Sequence, residues 1–131
     1  MCTLRTQNIC LMCHTQWLDL TNNQIGDAGL TAFAKAVESG ELPQLEKLWL
    51  GGNSIGDVGL SALADVVSRG ALASLEILWI DRNQIGDAGL TALASACVSG
   101  ALPKCTTVFM GGNPASAEAQ QRVKDAIASR Q

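Results

Sequence analysis

Trp49, Trp79 and Phe109 stand thirty residues apart, each set between two aliphatic side chains in Leu48-Trp49-Leu50, Leu78-Trp79-Ile80 and Val108-Phe109-Met110. Alternation of this kind is the period of a short strand with one buried face, so the rings belong on the open face. Exposed rings do contact chemistry: they offer apolar area and a π-face for cations, and tryptophan is enriched where proteins bind one another. Asp19 holds the same register one period earlier, and Trp17 lies two residues before it, beside Lys47 of the next period. Glu46, Lys47, Glu76, Asp81 and Arg82 flank the row, where they can form a polar rim that sets partner choice. The candidate partner-binding set is therefore Trp17, Asp19, Lys47, Trp49, Glu76, Trp79, Asp81, Arg82 and Phe109. Stacked rings also stiffen an exposed sheet, but a contiguous apolar patch favours a contact site.

Other reactive groupings are weaker. Cys10-Leu11-Met12-Cys13-His14 spells C-x-x-C-H, the string of covalent c-type haem attachment. Haem also needs a second axial ligand and an enclosing pocket. His14 is the only histidine and Met12 is too near it in sequence to ligate the opposite face. Zinc would need a second ligand pair, and only Cys2 remains nearby. No cofactor and no metal are expected. Gly51-Gly52 and Gly111-Gly112 make a poor phosphate cradle, because no G-K-[ST] follows and Asp57 would repel an anion; tight strand-exit turns explain them better. Asp27, Asp57 and Asp87 recur with the period and are read as carboxylate caps on the helix that follows each. With no G-x-S-x-G elbow and no H-E-x-x-H string, the chain is not expected to be an enzyme.

The composition narrows the partners further. A net charge of -3, with only 16% charged residues in 131, gives no basic field for nucleic acid. No run approaches the roughly 20 apolar residues that span a bilayer, and MCTLRTQNICLMCH lacks a uniform apolar signal core. A cytoplasmic protein partner, with neither membrane nor nucleic acid involved, is the expectation. The five cysteines form no regular framework. Cys97 falls where Val37 and Val67 stand, and Cys105 where Leu45 and Leu75 stand, so both are read as core thiols.

The elements that must position these groups follow from the period. Residues 1–14 lie outside the register and are read as a non-repeat segment, either a poor N-terminal cap, the worn end of an earlier repeat or a disordered stretch; residues 15–131 form the repeat domain. Each unit opens L-x-x-L-x-L-x-x-N, as at Leu45, Leu48, Leu50 and Asn53, and four such strands joined by long crossovers must pair in parallel. Asn23, Asn53, Asn83 and Asn113 are read as a structural ladder that satisfies the backbone of the turn. The string I-G-D-x-G-L then leads into a helix, whose inward stripe is Leu30, Phe33, Ala34 and Val37 in the first copy. Gly40, Gly70 and Gly100 stand where a helix takes a left-handed terminator. A last helix at about 116–130 keeps Val123, Ala126 and Ile127 inward among polar residues, as suits a terminal cap.

These strings resemble leucine-rich repeats, in particular the ribonuclease-inhibitor-like subfamily, with G-x-L-P at Gly40 to Pro43 and Gly100 to Pro103. The resemblance implies an α/β fold, a right-handed leucine-rich repeat solenoid of about four 30-residue repeats, with parallel strands on the concave face and helices on the convex face. It also implies a non-enzymatic protein–protein interaction scaffold that binds its partner through the concave strand face. Two alternatives come with the family: a GTPase-activating regulator of the Ran-activator type, or a fragment of a longer sensor of the NOD-like-receptor type. The edge of the first strand is open to self-association.

Overall fold

The computed structural model describes residues 14–129, together with the backbone of two short strands, β1 (Arg5–Thr6) and β2 (Ile9–Cys10), which pair antiparallel. From there strand and helix alternate: β3 (Trp17–Asp19), α1 (Gly26–Glu38), β4 (Lys47–Trp49), α2 (Asp57–Ser68), β5 (Ile77–Trp79), α3 (Asp87–Val98), β6 (Thr107–Phe109) and α4 (Ala117–Ala128). The four later strands form one parallel sheet in the order β3-β4-β5-β6. Each helix packs on the next, from α1 through α4. The chain thus adopts the four-unit α/β solenoid that its period implies.

Burial follows the stripe. Leu48 and Leu78 on the strands, Leu50 and Ile80 one residue beyond them, and Leu30, Leu60 and Leu90 on the helices have no exposed surface. Each such side chain contributes about 1.5–3 kcal/mol relative to leaving it in water. The central helices also bury Val66 and Ala96, because α2 and α3 have a helix on either side. Cys97 and Cys105 are each 1% exposed and fill the apolar positions assigned to them. Gly40, Gly70 and Gly100 follow their helices at φ 96°, 107° and 103°. Leu42, Leu72 and Leu102 also take φ of 50–56°. A left-handed leucine costs about 1–2 kcal/mol, and burial of the side chain offsets it.

The asparagines close the opposite bend. Asn53 Oδ1 accepts from the N–H groups of Asn23 (2.7 Å) and Ile25 (3.3 Å) in the preceding unit. Its Nδ2 donates to the carbonyls of Leu20, Leu50 and Gly51 at 2.9, 3.0 and 3.2 Å. Asn83 and Asn113 repeat both halves of the pattern, each reaching back one unit. Asn23, in the first unit, is exposed and donates to Thr21 O.

The aspartates correct the expectation drawn from sequence. Each lies in the first turn of its own helix, yet its carboxylate serves the helix of the next unit. Asp27 Oδ1 accepts from Gly56 N (2.7 Å) and Gly59 N (2.9 Å), and Asp57 Oδ1 from Gly86 N (2.8 Å) and Gly89 N (2.9 Å). The N-cap positions of α2 and α3 are Gly56 and Gly86, which have no side chain to offer. The unsatisfied N–H groups of the first turn therefore take the neighbour's carboxylate. A Cβ at Gly59 or Gly89 would lie 2.7 Å from that oxygen, so bare backbone is what admits it. In the last unit Ser116 N donates to Asp87 Oδ1 at 2.6 Å, while Ser116 Oγ accepts from Ala119 N and caps α4 itself. Ala117 stands at the position that Asp27, Asp57 and Asp87 hold in the earlier units.

Candidate functional site

The parallel register assembles the aromatic side chains into columns on the open side of the sheet. Asp19, Trp49, Trp79 and Phe109 are successive partners across the four strands. Trp49 stacks on Trp79 with centroids 4.3 Å apart and planes 10° from parallel; Trp79 stacks on Phe109 at 5.3 Å and 14°. The rings cover each other's faces and present their edges, so Trp49 and Trp79 are half-buried while Phe109 stays 45% exposed. The second column is Trp17, Lys47, Ile77 and Thr107. Trp17 is 63% exposed, and the Lys47 ammonium lies 5.1 Å from its ring centroid, a cation–π contact across adjacent strands.

Charge borders these columns. Asp19 Oδ1 accepts from Thr21 N (3.0 Å) and Thr21 Oγ1 (2.6 Å), which hold its carboxyl below its ordinary value. Asp81 Oδ2 accepts from Arg82 Nε at 3.1 Å, and the Asp81 carboxylate leans over Gly51, where a Cβ would meet it at 2.9 Å. Glu46 and Glu76 sit half-buried at the strand entrance, their carbonyls taking the N–H groups of Glu76 and Thr106. Trp17, Asp19, Lys47, Trp49, Trp79 and Phe109 thus share the two columns, with Glu76 before them and Asp81 and Arg82 after them.

Ile77 and Thr107 belong to the same surface and are absent from the set chosen by sequence. The alternation that places Trp79 and Phe109 outward also places residues two positions earlier outward. The strand-exit turn is left-handed in every unit, with Asn22, Gly52, Arg82 and Gly112 at φ 59°, 68°, 52° and 75°. The glycine pairs serve that turn. Arg82 occupies a position that glycine fills on either side.

Among the described residues, no group of three or more His, Cys, Asp or Glu could hold a metal ion. Cys2 and the Cys10–Cys13 part of the C-x-x-C-H string lie outside the described side chains, and His14 is exposed. No helix among the described residues is long and apolar enough to cross a membrane.

Strand–helix units that share one parallel sheet and one helix layer, tied by an asparagine at every turn, define a repeat solenoid. The Leucine Rich repeat family model matches residues 16–34, 42–64 and 71–94, just over half of the chain. The chain belongs to the leucine-rich repeat family. Its last unit lies beyond the matched segments, with Cys105, Val108 and Met110 holding the leucine positions. No curated protein matches the chain. Among solved structures it is similar to Leiomodin-1 Actin-Binding Site 2, with TM-score 0.68 and 16% identity over 90% of this chain and 81% of that one. It is also similar to the Caenorhabditis elegans tropomodulin C-terminal domain, with TM-score 0.62 and 16% identity over 90% and 84%. At that identity the likeness is one of fold.

Proposed function

We propose that the chain is a non-enzymatic protein-interaction scaffold whose partner binds the open, concave face of the sheet. The observation that supports this reading is the stacked column of Trp49, Trp79 and Phe109, with Trp17 beside it. The core does not need these rings, since Leu48, Leu78 and Val108 close it from the other side of the same strands. An apolar centre with charged residues at both ends is the anatomy of a contact surface. The binding set is then Trp17, Asp19, Lys47, Trp49, Glu76, Trp79, Asp81, Arg82 and Phe109, to which Ile77 is added.

The thirty-residue period with a full helix in each unit supports placing these repeats in the ribonuclease-inhibitor-like class. A cytoplasmic location fits cysteines that serve as core side chains. The leiomodin domain is named for actin binding, which makes actin a partner to try against this face. The test is capture of a partner by wild type and by a Trp49→Ala/Trp79→Ala variant whose fold is checked by circular dichroism. Loss of capture with the fold intact is expected; undiminished capture removes the reading.

A further inference from the structure

The aromatic column is asymmetric. Trp79 stacks on a ring at both faces, whereas Trp49 stacks on a ring at one face only, that of Trp79. Because the rings stack along the direction from strand to strand, the second face of Trp49 is turned toward β3. The residue paired with Trp49 there is Asp19, which carries a carboxylate where the other strands carry rings. A fourth ring would have continued the stack and closed that face. Instead a ring face and an acid stand on neighbouring strands about 4.8 Å apart.

We propose that this face takes a basic segment of a protein partner, with an arginine side chain lodged between the Asp19 carboxylate and the Trp49 ring and apolar side chains along the Trp79 and Phe109 edges. The proposal rests on the reading of the sheet face as the binding surface. Guanidinium is planar, stacks on indole and bonds carboxylate through its fork of donors, so it meets both walls at once. Thr21 engages Asp19 Oδ1, and no hydrogen bond to Oδ2 is found among the described residues. The cations of this face are already engaged, Lys47 with Trp17 and Arg82 with Asp81. Both keep their positive charge, but Asp19, Glu46, Glu76 and Asp81 outnumber them four to two, so the face is acidic and favours a basic occupant, on a chain of net charge -3. The Lys47–Trp17 contact shows the same chemistry one column away.

Selection of a random twelve-residue peptide library on the full chain tests this. Enriched peptides should carry arginine or lysine beside apolar residues, and enrichment should vanish on the Trp49→Ala/Trp79→Ala variant. In a selected peptide, replacing arginine by its neutral isostere citrulline should weaken binding about tenfold, as the loss of one charge-assisted contact does. Asp19→Asn, which keeps an acceptor for Thr21, should weaken the arginine peptide by a similar factor and leave the citrulline peptide unchanged. Enrichment that needs the tryptophans but shows no basic residue, or equal binding by Asp19→Asn, overturns the proposal and leaves the interaction-face reading standing. No tryptophan-dependent enrichment removes both. Dimerisation of the free chain through these rings, seen by sedimentation and lost in the tryptophan variant, also overturns it, because a second copy would then be the occupant.

Discussion

The asparagine turn, present in four units, and the aromatic column, present in three of them, sit at neighbouring positions and both recur every thirty residues, yet they face opposite demands. Asn53 has no exposed surface and its side chain satisfies backbone groups in two units at once. Trp49, Trp79 and Phe109 stack on one another, and the two tryptophans stay partly open to solvent. Recurrence therefore does not separate a structural residue from a binding one; what separates them is whether the side chain's bonding capacity is used up inside the molecule.

The largest effect expected is from Asn53→Ala, which strands the N–H groups of Asn23 and Ile25 and the carbonyl of Leu20, while Leu50 O keeps Asn83 Nδ2 and Gly51 O keeps Asn22 N. A loss of at least about 3 kcal/mol, read from the urea midpoint, follows from about 1–3 kcal/mol per buried unsatisfied group. A loss no greater than that of the tryptophan variant would break the contrast. Asp57→Ala removes a cap from α3 rather than from its own helix α2. It should cost about 1–2 kcal/mol, with amide-exchange protection lost at Gly86 and Gly89; loss confined to the start of α2 would contradict the geometry. Trp79→Ala should cost about 1 kcal/mol of stability, two solvent-exposed stacked pairs at about 0.5 kcal/mol each, while abolishing partner capture. Smallest and opposite in sign, Arg82→Gly should raise stability by about 0.5 kcal/mol, since relief of a left-handed side chain exceeds the added chain entropy of glycine. A drop in thermal midpoint would show that the Asp81 pair matters more than the backbone.

Much of this architecture is readable in the letters because three copies of one string agree, so apolar spacing, helix terminators and asparagines reinforce one another. The aspartates were legible as caps and illegible as to which helix they cap. Cap rules are local in sequence, whereas the groups that Asp27 serves lie 29 and 32 residues away. Ile77 escaped because selection followed rings and charges instead of the column that alternation defines. Left-handed Leu42, Leu72 and Leu102 carry no glycine or asparagine to announce their conformation. The pairing of β1 with β2 is likewise unannounced, since the mixed polarity of that stretch shows no period.

The displaced cap also determines how such a chain lengthens. A block such as residues 57–86 holds one aspartate at its start and the glycine of the next helix at its end. Copied in tandem, it arrives already keyed to whatever lies before and after it, so the array can be extended in its middle without redesigning either junction.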